Sequence, residues 1–514
     1  MMTFLARPAS AQAPTIPEER SAVLPGTAGS TLGTLPGSAA LMNSDPTATS
    51  GAILGGRAGT STPRVPTSIT VPGAGYQPPT APALSVPAIA PLTEVPLYGT
   101  LALPSGADEG PPEGMTFDQA LDLLIRQNLD LLARRYELDL ARADVLTASL
   151  RANPLIYADA QLVPYGAYTQ NRPGGQTQYD VNISHPIDYS RKRKYRTEAA
   201  NQAVKVVEAQ YQDAVRLQIA NLATAYLGVL SARETVRFAQ AGLEGLDRIL
   251  EASRSLGKFG NRTSADVARI TGQREAAAVG LLDAREGLRR ARLELGGQLN
   301  IAPPEAEGLE IRASLRDLAP PPPPGDQLEL MALQCRPDLN AFRMGVGYAQ
   351  AGLRLQQANR FADAYVLYQP YTFQNNSPLG LKSATSYALG VTVPLPIYNR
   401  NQGNIARAKV SIDQTRVQLD SLERKVRIEV RQAEQEYTTT RAYLDQLEQT
   451  VLPAAKKALE DTRNLYEAGE QDVTTYLTVQ KDYNDVVRQY RDLSVRHRRS
   501  MFGLNTAVGS RILP

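Results

Sequence analysis

Two very long helical stretches constrain this chain more than any other feature of its sequence. One covers about 190–256 and the other about 401–466, and both are rich in charged residues, Ala and Leu. At a rise of about 1.5 Å per residue, each helix would span on the order of 100 Å. Helices of this length do not fit inside a compact domain, so they must pack side by side. A coiled-coil seam that repeats every seven residues supports this prediction: Ile405, Ile412, Leu419, Val426 and Ala433.

The order of predicted elements occurs twice along the chain. Each half has a helix, a β-hairpin, a very long helix, a turn and a last helix. The first helix begins with a capping-box pattern at Thr116 and Gln119 and runs to about Arg151. Landmarks of the two halves match at an offset near 210: Pro186 with Pro396, Tyr226 with Tyr437, and Gly260 with Gly469. The sequence therefore predicts an internal two-fold repeat, with repeats at 113–318 and 326–508 and a proline-rich linker at 319–325.

Two predicted hairpins, at about 155–187 and 361–395, interrupt the helices. In the first, Tyr179, Val181 and Ile183 alternate with polar residues, so each strand has one apolar and one polar face. Strands of about ten residues can cross a bilayer when tilted, with lipid on the apolar side and water on the other. A hairpin that packs on a soluble core has the same pattern. Tyrosines crowd the strand ends, which indicates either an interfacial aromatic girdle or ordinary β-propensity.

Closure of the sheet sets the expected number of chains. Four strands cannot close a membrane barrel, because open edges would leave backbone groups unpaired in lipid. Three chains would form a twelve-stranded barrel that is open inside, whereas two would form an eight-stranded barrel with a filled interior. The predicted fold class is therefore mainly α, with a long coiled-coil tunnel and a small membrane β-barrel portion shared by a homotrimer.

The stretch VPLPIYNRNQGNIARAK, at 393–409, begins as a strand and ends as a helix. Pro396, like Pro186 at the matching point of the first half, is expected to end the sheet ladder because it lacks an N–H. Asn399 or Asn401 is expected to cap the following helix, and Gly403 to permit a close backbone approach. The basic run RKRK at 191–194 either contacts lipid head groups or is simply a solvated helix start.

Residues 1–112 have a different composition from the rest, being rich in Pro, Gly, Ser, Thr and Ala with few charges. This composition predicts a disordered leader. Ala11-Gln12-Ala13 matches a signal-peptidase cleavage pattern, so residues 1–13 are interpreted as the remnant of a truncated secretory signal. A disordered leader that contains Ala-x-Ala by chance is the alternative. Residues 509–514 form a short tail.

Composition argues against several functional classes. A net charge of +3 gives no support for nucleic-acid binding, and the single cysteine, Cys335, excludes an internal disulfide and a four-cysteine zinc site. We find no nucleophile–base constellation, nucleotide-binding loop or metal cluster, so we predict no enzyme activity and no cofactor. His185 lies at a strand end, where a structural or lumen-facing role is expected, and His497 lies in RHRR, interpreted as a solvated helix face. The sequence contains no run of 18 or more apolar residues, so it predicts no membrane-spanning helix.

Three segments carry a family resemblance. The junction at 393–409, and within it Pro396, Tyr398, Asn399, Asn401 and Gly403, resembles the strand-to-helix junction of the TolC-like outer-membrane efflux protein family. LYEAGEQDVTTYLTVQKDYND at 465–485 resembles the second helical turn of that family, and ALQCRPDL at 332–339 resembles the start of its second repeat. The resemblance covers about 115–508, and the first repeat, with PIDYSRKRKYR at its junction, is the more divergent copy.

The resemblance implies a homotrimer in the cell outer membrane with a helical tunnel in the periplasm. The tunnel would dock on a periplasmic adaptor protein and an inner-membrane pump, and this chain would be a passive, gated duct. The docking and gating end would lie at the helical turns around Gly260, Tyr466 and Gly469. Asp266 and Asp472 would form a negatively charged constriction there or serve only as first-turn dipole partners.

The cargo stays open among heavy metals, drugs and secreted proteins. The competing hypothesis is a soluble coiled-coil scaffold. It explains the heptads but not two alternating hairpins at equivalent points of a repeat.

Overall fold

A computed structural model describes residues 101, 110–161, 177–257, 264–316, 319–377, 380–468, 470–471 and 473–513. The first half contains α1 (Phe117–Gln127), α2 (Leu129–Ser149), β1 (Leu155–Gln161), β2 (Thr177–Ile187), α3 (Lys192–Gly257), α4 (Ser264–Gln298) and α5 (Pro303–Glu307). The second half contains α6 (Gly325–Cys335), α7 (Pro337–Ala358), β3 (Ala364–Asn375), β4 (Ala384–Thr392), α8 (Gln402–Gln446), α9 (Leu452–Glu467) and α10 (Val473–Val508). The prediction of a mainly helical chain with a small four-stranded portion is confirmed.

Both very long helices are present. Helix α3 has 66 residues and so spans about 100 Å. The second begins as α8 and passes through a single π-helical turn, Leu447–Val451, into α9. Pro453, in the first turn of α9, has no N–H to donate to the preceding turn, which accounts for the wider turn at this point. Among the residues that the structure describes, no helix is long and apolar enough to cross a membrane.

The four strands form one antiparallel sheet in the order β1-β2-β3-β4. The two predicted hairpins are therefore confirmed, and β2 pairs with β3 to join them. The register of β3 slips by one residue against both neighbours, between Gln369 and Thr372 on the β4 side. Pro370 lies in this bulge, where the ladder leaves a residue unpaired, so a central strand can accommodate its missing N–H.

The first predicted helix is two helices, so its expected course to Arg151 without a break is wrong. Asn128 has an extended backbone between α1 and α2, where its side-chain oxygen accepts a hydrogen bond from the Leu131 N–H at 3.0 Å. The same side chain donates to the carbonyl of Gln298 at the end of α4, at 2.8 Å. This tertiary contact holds the break, and neither glycine nor proline marks it in the sequence. An equivalent break separates α6 from α7 at Arg336, before Pro337.

Two buried tyrosines at matching landmarks attach the connecting segments to the long helices. The Tyr226 hydroxyl on α3 lies 2.9 Å from the carbonyl oxygens of both Met115 and Arg312. Burial raises the pKa of Tyr226 to about 12, so the hydroxyl keeps its proton and remains a donor. On α8, the Tyr437 hydroxyl donates to the carbonyl of Pro320 at 3.4 Å.

Leu101 lies within the leader that the composition predicts to be disordered, but its side chain is buried. It packs in an apolar cluster with Phe238, Tyr483 and Tyr490, and its N–H donates to the fully buried Asn484 side chain at 3.3 Å. Leu101 thus packs between α3 and α10, although it belongs to a segment whose composition predicts disorder. The average composition of the segment does not reveal this contact.

A buried ion-pair network joins α7, α8 and α10. Arg336 contacts the carboxylates of Asp338 and Glu429 at 2.6 Å each and the carbonyl of Ala507 at 3.2 Å. Arg336 and Asp338 are almost completely buried. Burial acts to raise the pKa of Asp338, but the Arg336 guanidinium outweighs it and holds that pKa below its usual range. The Asp338 carboxylate therefore stays charged and binds the end of α10, through Arg336, to the start of α7.

We expect Asp338→Ala to lower the free energy of unfolding by about 3–5 kcal/mol, because it removes the more deeply buried of the two carboxylates that pair with the buried Arg336 charge. Chemical denaturation followed by circular dichroism measures the change. Asp413→Ala is the matched control: its pair with Arg416, at 3.7 Å, is exposed on both sides, so the expected loss is at most about 0.5 kcal/mol. Equal losses in the two variants would contradict a structural role for this network.

Candidate functional site

The sheet has one apolar and one polar face, and the apolar face is the more exposed. On β2, Tyr179, Val181 and Ile183 share a face, and the register places Phe373, Tyr371 and Tyr368 of β3 opposite them. Leu389 and Val391 continue this face on β4, and Ile156 continues it on β1; their exposed fractions are 72%, 68% and 74%. The sequence pattern of the first hairpin thus extends across all four strands.

The opposite face is polar and more enclosed. Gln178, Asp180, Asn182 and Ser184 of β2 lie on it, and Asp159 of β1 is directly opposite Asp180. Asp180 is buried, and one of its oxygens accepts a hydrogen bond from the Gln178 side chain at 2.7 Å. On β2 and β3 the polar face is more enclosed than the apolar face, which is the inverse of a sheet on a soluble core.

The sheet and the helices have the same lateral order. In the sheet, β1 and β4 are the outer strands. In the helical layer next to it, α2 packs on α3, α3 on α7, and α7 on α8, so α2 and α8 are the outer helices. Further along, α4 and α10 both pack on α3, and α10 also packs on α8. In the sheet and in the helical layers, one lateral edge is therefore formed by a strand or helix of the first half of the chain. The opposite lateral edge is formed by a strand or helix of the second half.

Both outer helices carry exposed apolar side chains at helical spacing. On α2 these are Leu129, Leu132, Tyr136 and Leu140, and on α8 they are Val410, Val417 and Ile428. The predicted seam of α8, in contrast, is at least partly buried along its whole length from Ile405 to Ala433. Helix α8 therefore has two apolar stripes, one of which packs within the chain while the other remains exposed.

The strand-to-helix junction differs from the prediction in how Asn401 acts. Asn401 is the first residue before α8, but its side chain makes no capping hydrogen bond, so the predicted side-chain cap is wrong. Its backbone is left-handed, with φ at 58°, and this conformation directs the side chain to the carbonyl of Gln356 in α7, at 2.8 Å. The Asn399 side chain accepts from the Asn401 N–H at 3.0 Å, so both asparagines shape the turn rather than cap the helix.

The other junction residues are exposed or lie near strand ends. The predicted close approach at Gly403 is wrong, because a Cβ at this position would meet nothing within 4 Å. The prediction that the prolines end the ladder is wrong for the pairing with β3, because Pro186 lies in β2 opposite Tyr365 and the pairing continues to Ile187; Pro186 does lie beyond Ser184, the last residue that pairs with β1. It is also wrong for Pro396, because β4 ends at Thr392, four residues earlier. Tyr398 is 91% exposed.

The residues predicted at the helical turns lie mostly beyond what the structure describes. Gly260, Gly469 and Asp472 lie outside the described residues, and Asp266 lies in α4 with its side chain outside them. The Tyr466 ring stacks on Tyr476, with centroids 5.2 Å apart, so the end of α9 packs against the start of α10.

The two histidines lie far apart and in different surroundings. His185 is exposed and lies on the apolar face of the sheet, opposite Val366. His497 is buried on α10, so its interpretation as part of a solvated helix face is wrong. Its Nδ1 lies 3.1 Å from the Thr440 hydroxyl of α8, and the Tyr437 ring lies 5.0 Å away. Burial, helped by Arg441 and Arg498, lowers the pKa of His497 to about 4.

Within the described ranges, no group of three or more His, Cys, Asp or Glu residues could hold a metal ion. The candidate functional surface is therefore the sheet with its two faces, together with the lateral edges of the chain.

Comparison with protein families gives one match that covers most of the chain. A family model described as outer membrane efflux protein matches residues 120–300 and 330–510. The two matched segments correspond to the two halves that the sequence offset relates.

Individual relatives agree with this match. The cobalt-zinc-cadmium resistance protein CzcC of Cupriavidus metallidurans is 25% identical over 373 residues, which cover 71% of this chain and 83% of the relative. The outer-membrane channel OprN has a similar fold, with a TM-score of 0.63 and 17% identity over 81% of this chain and 98% of OprN. The Campylobacter jejuni CmeC outer membrane channel gives a TM-score of 0.62 and 16% identity over 77% of this chain and 86% of CmeC.

The lowered pKa of His497 predicts that acidification destabilises the fold. Above pH 6.5 the ring is neutral in both states, whereas below it the unfolded chain binds a proton that the folded chain binds only near pH 4. Stability should therefore fall by about 2 kcal/mol between pH 7 and pH 5. Denaturation at several pH values measures this slope. His497→Gln should flatten it; a slope that persists in His497→Gln would contradict the assignment.

Proposed function

The chain belongs to the outer membrane efflux protein family, and we propose that it forms the passive, gated outer-membrane duct of a tripartite export system. In this proposal three copies build a twelve-stranded barrel in the outer membrane and a continuous helical tunnel in the periplasm. The chain carries no catalytic role; an inner-membrane pump supplies the energy, and a periplasmic adaptor protein connects the two.

The matched lateral order of sheet and helices is the observation that carries this proposal. Outer strands β1 and β4 have one unpaired edge each, and outer helices α2 and α8 have one exposed apolar stripe each. A head-to-tail contact that pairs β4 of one copy with β1 of the next also brings α8 beside α2. Such a heterologous contact generates a closed ring when its rotation allows closure, and closure alone removes both sheet edges. Three copies supply the twelve strands of an open barrel.

We also propose that the fold is one unit used twice, with repeats at 113–318 and 326–508, the linker at 319–325, a leader at 1–112 and a tail at 509–514. Backbone landmarks support this organisation. The helix breaks at Asn128 and Arg336 lie 208 residues apart. The residues before α3 and α8, Arg191 and Asn401, are both left-handed, with φ at 61° and 58°.

The adaptor would dock at the ends of the long helices farthest from the sheet. Gly260, Tyr466 and Gly469 are the proposed turn residues, and Asp266 and Asp472 the proposed acidic residues of the constriction. The stacked pair Tyr466 and Tyr476 supports a fixed geometry for the second turn.

We propose divalent metal cations as the cargo. The support is the similarity to a relative whose name specifies cobalt, zinc and cadmium resistance. The polar face of the sheet adds Asp159 and Asp180, while β1 to β4 contain no Lys or Arg, so a lumen lined by this face would favour cations.

A fractionation experiment tests the assembly. The full chain would be produced behind a secretory signal, outer membranes isolated, and the subunit number determined by native mass spectrometry after detergent extraction. A detergent-dependent trimer from the outer-membrane fraction is expected. Recovery of a monomer or dimer without detergent would overturn the duct and favour the soluble coiled-coil scaffold.

Substitution of neighbouring residues in β4 tests which face contacts lipid. Leu389→Arg places a charge on the apolar face near the middle of the strand, which costs about 2–4 kcal/mol near a bilayer midplane. We expect the trimer recovered from outer membranes to decrease strongly. Ala388→Arg introduces the same charge one residue away on the polar face and should assemble normally. Equal recovery of both variants, or loss of only Ala388→Arg, would contradict the assignment of the faces.

A further inference from the structure

Every connection between the sheet and the helices carries one exposed arginine. Arg151 lies between α2 and β1, Arg191 between β2 and α3, Arg360 between α7 and β3, and Arg400 between β4 and α8. The four strands themselves contain no Lys or Arg. These four arginines are called the junction arginines below.

The pairing of the strands places the four connections at the same end of the sheet, the end next to the helices. The start of β1 pairs near the end of β2 (Leu155 with Ser184), Ile187 pairs with Ala364, and Tyr365 pairs with Thr392. Arg151, Arg191 and Arg360 each lie four residues from the nearest strand end, and Arg400 lies in a longer connection.

Contacts of the connections with neighbouring helices and with each other hold them together. The Arg196 guanidinium of α3 donates to the carbonyl of Leu150 at 2.9 Å, and the Asn401 side chain donates to the carbonyl of Gln356 in α7 at 2.8 Å. The Tyr189 and Phe361 rings lie 6.1 Å apart across two connections.

The nearest carboxylates in these connections are already engaged. Asp188 accepts from the backbone N–H groups of Lys192 and Arg193 at 2.8 and 2.7 Å, which also occupies the start of α3. Asp363 pairs with the Lys192 amine at 2.9 Å. Over the ranges that the structure describes, no junction arginine forms an ion pair: Arg360 lies over the Phe361 ring at 5.5 Å, and the Arg400 guanidinium donates to the carbonyl of Ile397 at 3.3 Å.

The surroundings match the boundary between hydrocarbon and water. Exposed apolar residues of β4 continue past the strand through Val393, Leu395 and Ile397 up to Tyr398, and the charge begins immediately after at Arg400. Tyr189 and Phe361, which are partly exposed, lie next to two further junction arginines. Aromatic rings beside cations are typical of the depth at which lipid phosphates lie.

We propose that the junction arginines form a belt that binds the phosphodiester groups of membrane phospholipids in the leaflet facing the periplasm. Guanidinium groups suit this ligand because their planar donors contact phosphate oxygens in pairs. The proposal rests on the proposed function, since it requires the sheet to lie in the membrane. In a trimer the belt would contain twelve guanidinium groups at one level, which would fix the depth of the barrel.

Native mass spectrometry of the detergent-extracted full chain, incubated with phosphatidylglycerol, tests the belt. Each single Arg→Gln change among the junction arginines should lower the retained phosphatidylglycerol by about fivefold, and the quadruple variant should lose it almost completely. The control variant, R126Q/R135Q/R424Q/R427Q, removes four exposed arginines from helices α1, α2 and α8 and should retain lipid as the unchanged protein does.

The results of this experiment distinguish three statements: that the belt exists, that its ligand is a lipid, and that the chain forms a trimer. Equal retention by the junction and control variants, or equal loss by both, would overturn the belt. If excess inorganic phosphate strips the lipid from the unchanged protein, the arginines form a general anion site and the assignment to lipid is wrong. The same spectra report subunit number, so a trimer without selective lipid loss contradicts only the belt, whereas the absence of a trimer contradicts the proposed function.

Discussion

The unpaired backbone along the outer edges of β1 and β4 is the constraint on which the rest of the structure depends. A four-stranded sheet with an exposed apolar face has no stable place in water, and in lipid its free N–H and C=O groups would each cost several kcal/mol. The proposed association of three copies would resolve both problems. Because α2 and α8 lie on the same sides as β1 and β4, one head-to-tail contact would then serve the sheet and the helices together.

The same constraint bears on how the helices below the sheet are held. The ion pairs of Arg336 with Asp338 and Glu429 lie where α7 begins, and the arginine also holds a carbonyl at the end of α10. Helix α7 is joined to β3, a central strand, by the short connection at 359–363. The bulge at Pro370 then increases the local twist of β3, which favours the curvature that a closing sheet requires.

The regular elements could be predicted from the sequence, whereas side-chain roles at their ends could not. Period-2 and heptad patterns gave the strands and the seam of α8 because burial acts on every residue of such an element. The break at Asn128 was missed because it depends on the carbonyl of Gln298, 170 residues away. Asn401 was expected to cap α8, but its left-handed backbone directs the side chain to α7.

His497 lies among arginines in the sequence, and only the packing of α10 on α8 shows that it is buried. The proposed gate residues near Gly260 and Gly469 remain a prediction.

Arginine placement links the fold to its environment more closely than net charge does. A chain with a formal charge of +3 looks unremarkable, yet its four described strands contain no Lys or Arg and each of their four helical connections contains one arginine. A soluble sheet has no reason to exclude Lys and Arg from all of its strands. It equally has no reason to carry an arginine without an ion pair in every connection at the end of the sheet that faces the helices. Arg191 adopts the left-handed backbone that Asn401 adopts at the matching point, although an asparagine tolerates this conformation better. Backbone conformation alone therefore does not favour arginine at this position, whereas the proposed contact with lipid phosphate does.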